Sequence, residues 1–106
     1  MHLTKQERNA VASFNELTPN EQARLLNFCS RINKIKSFNR NHTSYGLKHL
    51  YEKIGGYVTN DAFKGAMMQS GFKVRDRNAL NFCFNVSQRS INEIRKEIRQ
   101  KDPRYI

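Results

Sequence analysis

The chain has 106 residues, of which 19 are Lys or Arg and nine are Asp or Glu, so its formal charge is +10. No apolar run approaches the roughly 20 residues of a membrane-crossing helix, and the opening MHLTKQ lacks the apolar core of a secretory signal. We therefore expect a single cytoplasmic domain, 1–106, with enough apolar residues to fold without a partner.

The N-terminal part of the chain is predicted to be helical. A helical segment within 1–17 carries apolar side chains at spacings of three. A long helix is predicted to begin at Pro19, because Thr18 and Glu21 have the spacing of a capping box. Its apolar stripe continues to about Lys36, where we expect the helix to end.

Two shorter helices are predicted after a connecting loop. Thr43 or Ser44 caps the first, and the glycine pair 55–56 ends it, because glycine readily adopts the left-handed conformation that follows many helices. Thr59 caps the second, which is predicted over 60–70. A tight turn thus separates two short helices.

The spacing of apolar residues changes beyond residue 71. Residues 72–75 and 80–86 alternate apolar with polar side chains around a turn-like 76–78, which predicts a β-hairpin with one buried face. A C-terminal helix is predicted within 87–106, beginning at a serine cap and ending before an Asp-Pro pair. The predicted fold class is therefore mostly α with a small β-hairpin.

The order of elements over 18–86 is that of a winged helix-turn-helix. In this interpretation 44–54 is the supporting helix, 60–70 is the recognition helix that enters a DNA groove, and 73–78 is the tip of the wing.

The positive charge is concentrated in the later part of the chain, since only three basic and three acidic residues precede residue 31. Such a surplus attracts polyanions, and nucleic acid is the predicted partner, DNA in preference to RNA. A membrane surface is not predicted, because each apolar stripe is needed for the core. The candidate nucleic-acid-binding residues are Arg40, His42, Ser44, Tyr45, Lys48, His49, Asn60, Lys64, Lys73, Arg75, Arg77, Arg95 and Arg99.

Aromatic side chains lie among these basic residues. Phe38, Tyr45 and Tyr57 are candidates to stack on unpaired bases, which makes single-stranded DNA a plausible ligand, although a place in the core is the alternative for each.

The sequence does not predict catalysis. Its carboxylates are scattered, and it has neither a phosphate-binding glycine loop nor a nucleophile motif. Cys29 and Cys83 have no histidine at metal-ligand spacing and are interpreted as packed thiols, and no third ligand accompanies His42 and His49. We expect neither an enzyme nor a metal, a cofactor or a small-molecule substrate.

Part of the sequence resembles small basic proteins of bacterial mobile genetic elements. The run HTSYGLKHL at 42–50 is followed by GYVTN at 56–60 and then by Phe63, Ala66 and the pair 71–72. Similar patterns occur in proteins of prophages, conjugative elements and staphylococcal-type cassette chromosomes.

This resemblance covers about residues 42–86. It implies a function like that of the small basic winged-helix proteins that bind single-stranded DNA beside a helicase in some cassette replication modules. It also implies a polar surface site formed by Ser44, Tyr45, Lys48, His49 and Asn60.

Three functions follow from these observations. The leading prediction is a non-catalytic protein that binds single-stranded DNA, or DNA of any sequence, in support of the replication or transfer of a mobile element. The second is an adaptor or inhibitor that docks on a helicase, polymerase or host defence nuclease through Val11, Phe14 and Leu17. The third is a duplex-specific transcription regulator, which requires a dimer and a palindromic site.

Overall fold

The computed structural model describes residues 2–101 and contains five helices in that range. They are α1 (Lys5–Asn15), α2 (Pro19–Ser30), α3 (Ser44–Gly55), α4 (Asn60–Gln69) and α5 (Gln88–Lys101). The predicted Asp-Pro stop at 102–103 lies outside the described residues.

Hydroxyl side chains cap the helices. The side-chain oxygens of Thr4, Thr18, Thr43 and Thr59 each accept a hydrogen bond from the backbone amide three residues later. Ser87 does the same immediately before α5. Each cap satisfies an amide that the first turn leaves unpaired and contributes about 1 kcal/mol. The starts that the sequence predicts for α2, α3 and α4 are confirmed.

Two predicted helix ends are also confirmed, whereas that of α2 is wrong. Gly56 follows α3 with φ 87° and Gly71 follows α4 with φ 89°, a backbone conformation that favours glycine. By contrast, α2 ends at Ser30. Beyond it the chain runs beside 84–87, where the Ile35 amide donates to the Asn85 carbonyl at 3.0 Å. These tertiary hydrogen bonds replace the last predicted turns of the helix.

The predicted β-hairpin, and with it the wing, is wrong. The alternation correctly predicts the buried side chains, since Phe82, Phe84 and Val86 are fully enclosed. However, the described part of the chain contains no strand and only two isolated bridges, which join residues 34 to 86 and 74 to 84. The winged helix-turn-helix assignment is therefore corrected to an all-helical fold.

Side-chain hydrogen bonds take the place of a strand ladder in this region. Asn85 accepts from the Lys73 amide at 2.7 Å through Oδ1 and donates to the Ile35 carbonyl at 3.0 Å through Nδ2. Ser44 Oγ accepts from the Phe82 amide at 3.0 Å. The backbone groups are thus satisfied without regular pairing, which explains why the alternating pattern does not produce a hairpin.

The helix α4 is the centre of the molecule. Its residues 62–67 are all buried, and α1, α2 and α3 pack against it. The closest approach is at Gly65, where an added Cβ atom would lie 2.3 Å from the Ala10 carbonyl oxygen on α1. The predicted role of this segment as a recognition helix is therefore wrong, because its neighbours occupy the surface that would enter a groove.

One cluster of buried side chains includes residues from all five helices and from the segments between them. Within residues 2–101, no helix has the length and apolar character needed to cross a membrane.

Candidate nucleic-acid interface

Lys64, a predicted DNA contact, is completely buried. Its Nζ donates to Gln6 Oε1 at 2.9 Å and to the Leu80 carbonyl at 2.8 Å. It also lies 3.4 Å from Asp61 Oδ1 and 4.1 Å from the centre of the Phe82 ring. Because these partners surround the ammonium group, Lys64 is part of the core and does not reach a ligand.

Ser44 and Lys48 are likewise buried on the inner side of α3. Ser44 is fully enclosed and its hydroxyl is used by the Phe82 amide. Lys48 Nζ forms an ion pair with Glu52 Oε1 at 3.2 Å and lies 5.0 Å from the centre of the Tyr45 ring. The polar surface site that the family resemblance implies therefore does not include these two side chains.

Asn60 and Arg77 stabilise neighbouring loops. Asn60 Nδ2 donates to the Leu80 carbonyl at 3.3 Å. Arg77 contacts Glu7 Oε1 at 2.7 Å through Nη2 and donates to the His2 carbonyl at 2.7 Å. The hydrogen bond from Arg77 lowers the pKa of Glu7, with burial acting in the opposite direction. The Arg77 charge is thus neutralised within the fold.

His42 is buried where α3 and α5 begin. Its Nε2 lies 2.8 Å from Oε1 of Gln88, the first residue of α5. Burial lowers the pKa of His42, the hydrogen bond to Gln88 opposes this, and the charge of Arg95 adds to the lowering. His42 is therefore a neutral link between two elements at pH 7.

The other seven predicted site residues are exposed but lie on separate elements. On α3, the centres of the Tyr45 and His49 rings are 4.4 Å apart. The exposed residues are Arg40 in the loop before α3, Tyr45 and His49 on α3, Lys73 and Arg75 after α4, and Arg95 and Arg99 on α5. Arg95 and Arg99 line a common cavity, and the other five lie in the loop before α3, on α3 and in the segment after α4.

A cavity of about 90 Å³ lies between α3 and α5. Three cations, Lys53, Arg95 and Arg99, line it together with Leu50 and Ile98. No carboxylate belongs to this lining among the residues that the structure describes.

A second cavity, of about 150 Å³, lies between α2 and α3. Arg24 and Arg31 line it beside Tyr51 and Ile54. Arg24 interacts with the Tyr51 hydroxyl and opposes the rise in the Tyr51 pKa that burial causes. Arg31 also forms an ion pair with Glu97, which joins α2 to α5.

Both cavities border the C-terminal half of α3, where the successive residues Lys53 and Ile54 line one cavity each. We call the surface around this part of α3 the cationic face and define it by Arg24, Arg31, Lys53, Arg95 and Arg99. Three of these, Arg24, Lys53 and Arg31, are not among the predicted site residues. No local pattern distinguishes them from other basic residues, since only the packing of α2, α3 and α5 brings them together.

The two cysteines are part of the packing. Cys29 is fully buried, and burial raises its pKa to about 12, so its thiol is unreactive. The Sγ of Cys83 donates to the Asn39 carbonyl at 3.2 Å. Within residues 2–101, no group of His, Cys, Asp and Glu side chains is arranged to hold a metal ion.

Comparison of the chain with protein-family models, curated proteins and solved structures finds no match. The resemblance to mobile-element proteins therefore stays a prediction from the sequence.

Proposed function

We propose that this protein binds nucleic acid without catalysing a reaction and that the phosphate backbone lies along the cationic face. The supporting observation is that the linings of two cavities beside α3 contain five cations and, among the described residues, no carboxylate, although Glu97 pairs with Arg31 from outside the lining. Cations held close together repel one another, and a row of phosphates relieves this repulsion while releasing the counterions of the strand.

Single-stranded DNA fits this face better than duplex DNA does. Tyr57 is 81% exposed and comes two residues after Gly55, which lines the second cavity. An exposed ring next to a phosphate-binding surface is suited to stack on an unpaired base, a contact worth about 1–3 kcal/mol. Because its neighbours enclose α4, this helix does not enter a DNA groove to read bases. This favours binding that does not depend on the base sequence.

The biological setting of the proposal comes from the sequence resemblance. We propose a cytoplasmic protein that supports the replication or transfer of a mobile element, with DNA as its partner in preference to RNA. The alternative of a docking protein has less support, because Phe14 of α1 is only 3% exposed and Leu17 packs against the core. The apolar surface predicted for docking is thus largely used within the fold.

The test compares two variants that lose the same charge from different places. The first combines Arg24→Gln, Arg95→Gln and Arg99→Gln on the cationic face. The control combines Lys5→Gln, Lys36→Gln and Lys96→Gln, which are exposed and line neither cavity. Fluorescence anisotropy with a labelled single strand, repeated at several salt concentrations, gives the affinity and its salt dependence.

We expect the face variant to bind more than about tenfold more weakly and its salt slope to fall by about three, one for each lost phosphate contact. The control is expected to keep most of the wild-type affinity and slope. Equal losses in both variants would mean that net charge alone attracts DNA, and the proposed interface would be wrong.

A further inference from the structure

The cavity between α3 and α5 concentrates positive charge more than the rest of the cationic face. Arg95 and Arg99 are one turn apart on α5, so their side chains leave the same side of that helix. Lys53, in the last turn of α3, belongs to the opposite wall. Leu50 and Ile98 are each 6% exposed and supply the apolar part of the lining.

The carboxylates of α5 lie away from this cavity. Glu93 is 3.5 Å from Arg89, and Glu97 is paired with Arg31, the residue that follows α2. Arg95 and Arg99 form no ion pair with any described residue, and like charges at this spacing destabilise a helix. A bound anion would remove that repulsion.

The size of the cavity limits the anion to a small group. Pockets for ordinary ligands measure roughly 300–1,000 Å³, whereas this cavity measures about 90 Å³. A small tetrahedral group such as phosphate suits a pocket of this size, with the rest of the ligand lying outside it.

Phosphates within a strand and at its end differ in charge and in shape. An internal phosphodiester carries one negative charge and has a sugar on both sides. A phosphate monoester carries about −1.5 to −2 at pH 7 and has a sugar on one side only. The guanidiniums of Arg95 and Arg99 match the second group better, because each can donate two parallel hydrogen bonds to it.

We infer that this cavity, lined by Lys53, Arg95 and Arg99, binds the terminal phosphate monoester of a nucleic-acid strand. The inference rests on the proposed function and identifies which part of the ligand the cavity takes. Binding at this position places the end of a strand at α5 and directs the remaining phosphates along the cationic face toward the second cavity.

The experiment uses three short DNA single strands of identical sequence that carry a 5′-phosphate, a 3′-phosphate or no terminal phosphate. Each has an internal fluorescent label, and anisotropy measures its affinity for the full chain. We expect one of the phosphorylated strands to bind about tenfold more tightly than the unphosphorylated strand. Inorganic phosphate is expected to remove this advantage by competition.

The advantage should disappear in the variants Arg95→Gln and Arg99→Gln and persist in Lys96→Gln, a change on the same helix outside the cavity lining. All three positions are exposed, so thermal unfolding should confirm an intact fold in each variant. A loss of the advantage in Lys96→Gln as large as in the cavity variants would overturn the assignment.

The two proposals fail in different ways. Equal affinity for all three strands, with a steep salt dependence in each, would overturn the terminal-phosphate site and leave the proposed function standing. The absence of salt-dependent binding to any of the strands would overturn both.

Discussion

A buried ammonium group is tolerated only when its hydrogen-bond donors are paired, and Lys64 meets this condition through Gln6, Leu80 and Asp61. Lys64→Met keeps the length of the side chain but leaves the Leu80 carbonyl and the Gln6 side chain without their donor. We expect the free energy of unfolding, measured by urea denaturation, to fall by about 1–3 kcal/mol.

The control for this prediction is Lys73→Met, because Lys73 is exposed and its side chain has no partner among the described residues. We expect the stability of that variant to stay within about 0.5 kcal/mol of the wild type. If Lys64→Met instead left stability unchanged and weakened DNA binding, Lys64 would belong to the interface and not to the core.

Glu7 makes the stability of the fold dependent on pH. Its carboxylate is bound by Arg77 and by the Thr4 amide, and the hydrogen bond from Arg77 is the main reason that its pKa is lowered from the ordinary 4.5. A lowered pKa in the folded state means that the ionised group stabilises the protein above pH 4.5. This contribution is lost as the pH falls through the folded-state pKa.

We therefore expect Glu7→Gln to be less stable than the wild type at neutral pH and the difference to shrink in acid, as measured by urea denaturation across that range. Glu16→Gln serves as the control, since Glu16 is exposed and has no ion pair with a described residue. A difference that stays constant from neutral to acidic pH would contradict the assigned role of the Glu7 carboxylate.

At the scale of elements, the contact between α1 and α4 depends on the absence of a side chain at Gly65. A Cβ atom there would lie 2.3 Å from the Ala10 carbonyl oxygen and 2.7 Å from Phe14 Cβ, and backbone cannot yield to such an approach. We expect Gly65→Ala to lower the free energy of unfolding by about 1–3 kcal/mol.

The matched control is Gly46→Ala, in the first turn of α3, where an added Cβ atom meets nothing within 4 Å. Because alanine favours helix more than glycine does, this variant should be about 0.5–1 kcal/mol more stable than the wild type. Equal effects of the two substitutions would show that α1 does not pack closely on α4.

The helices could be predicted from the sequence where local chemistry decides them. Thr18, Thr43 and Thr59 act through atoms within three residues, so their positions alone locate three helix starts. The end of α2 and the arrangement of 72–86 depend on hydrogen bonds between distant segments, for which the sequence carries no local signal. The burial of α4 did have a signal, because residues 62–68 are apolar or small on every side except at Lys64.

The candidate site was less predictable than the helices. The spacing of four between Arg95 and Arg99 brings their side chains to one side of α5. Arg24 and Lys53 come from helices that are distant in sequence, and charge alone does not distinguish them from Lys64 or Arg77. The burial of Lys64 and the ion pair of Arg77 with Glu7 are properties of the tertiary structure.

For the binding of a polyanion by the whole molecule, the position of the positive charge matters as much as the net charge. The chain measures 47 × 32 × 19 Å. The Debye length at physiological ionic strength is about 8 Å, so charges on one broad face are largely screened from the other. Five carboxylates, those of residues 7, 52, 61, 93 and 97, already form ion pairs with Arg or Lys, and the surplus cations are left to act on the surface where they lie.

The most direct test of the cationic face is a titration of the isotope-labelled protein with a DNA single strand, followed residue by residue by NMR. We expect the amide signals that shift to belong to the turns of α2, α3 and α5 around Arg24, Lys53 and Arg95, together with Tyr57. Signals from α1 and from the buried residues of α4 should stay in place. Shifts centred on 73–77, or spread evenly over the molecule, would contradict the proposed interface.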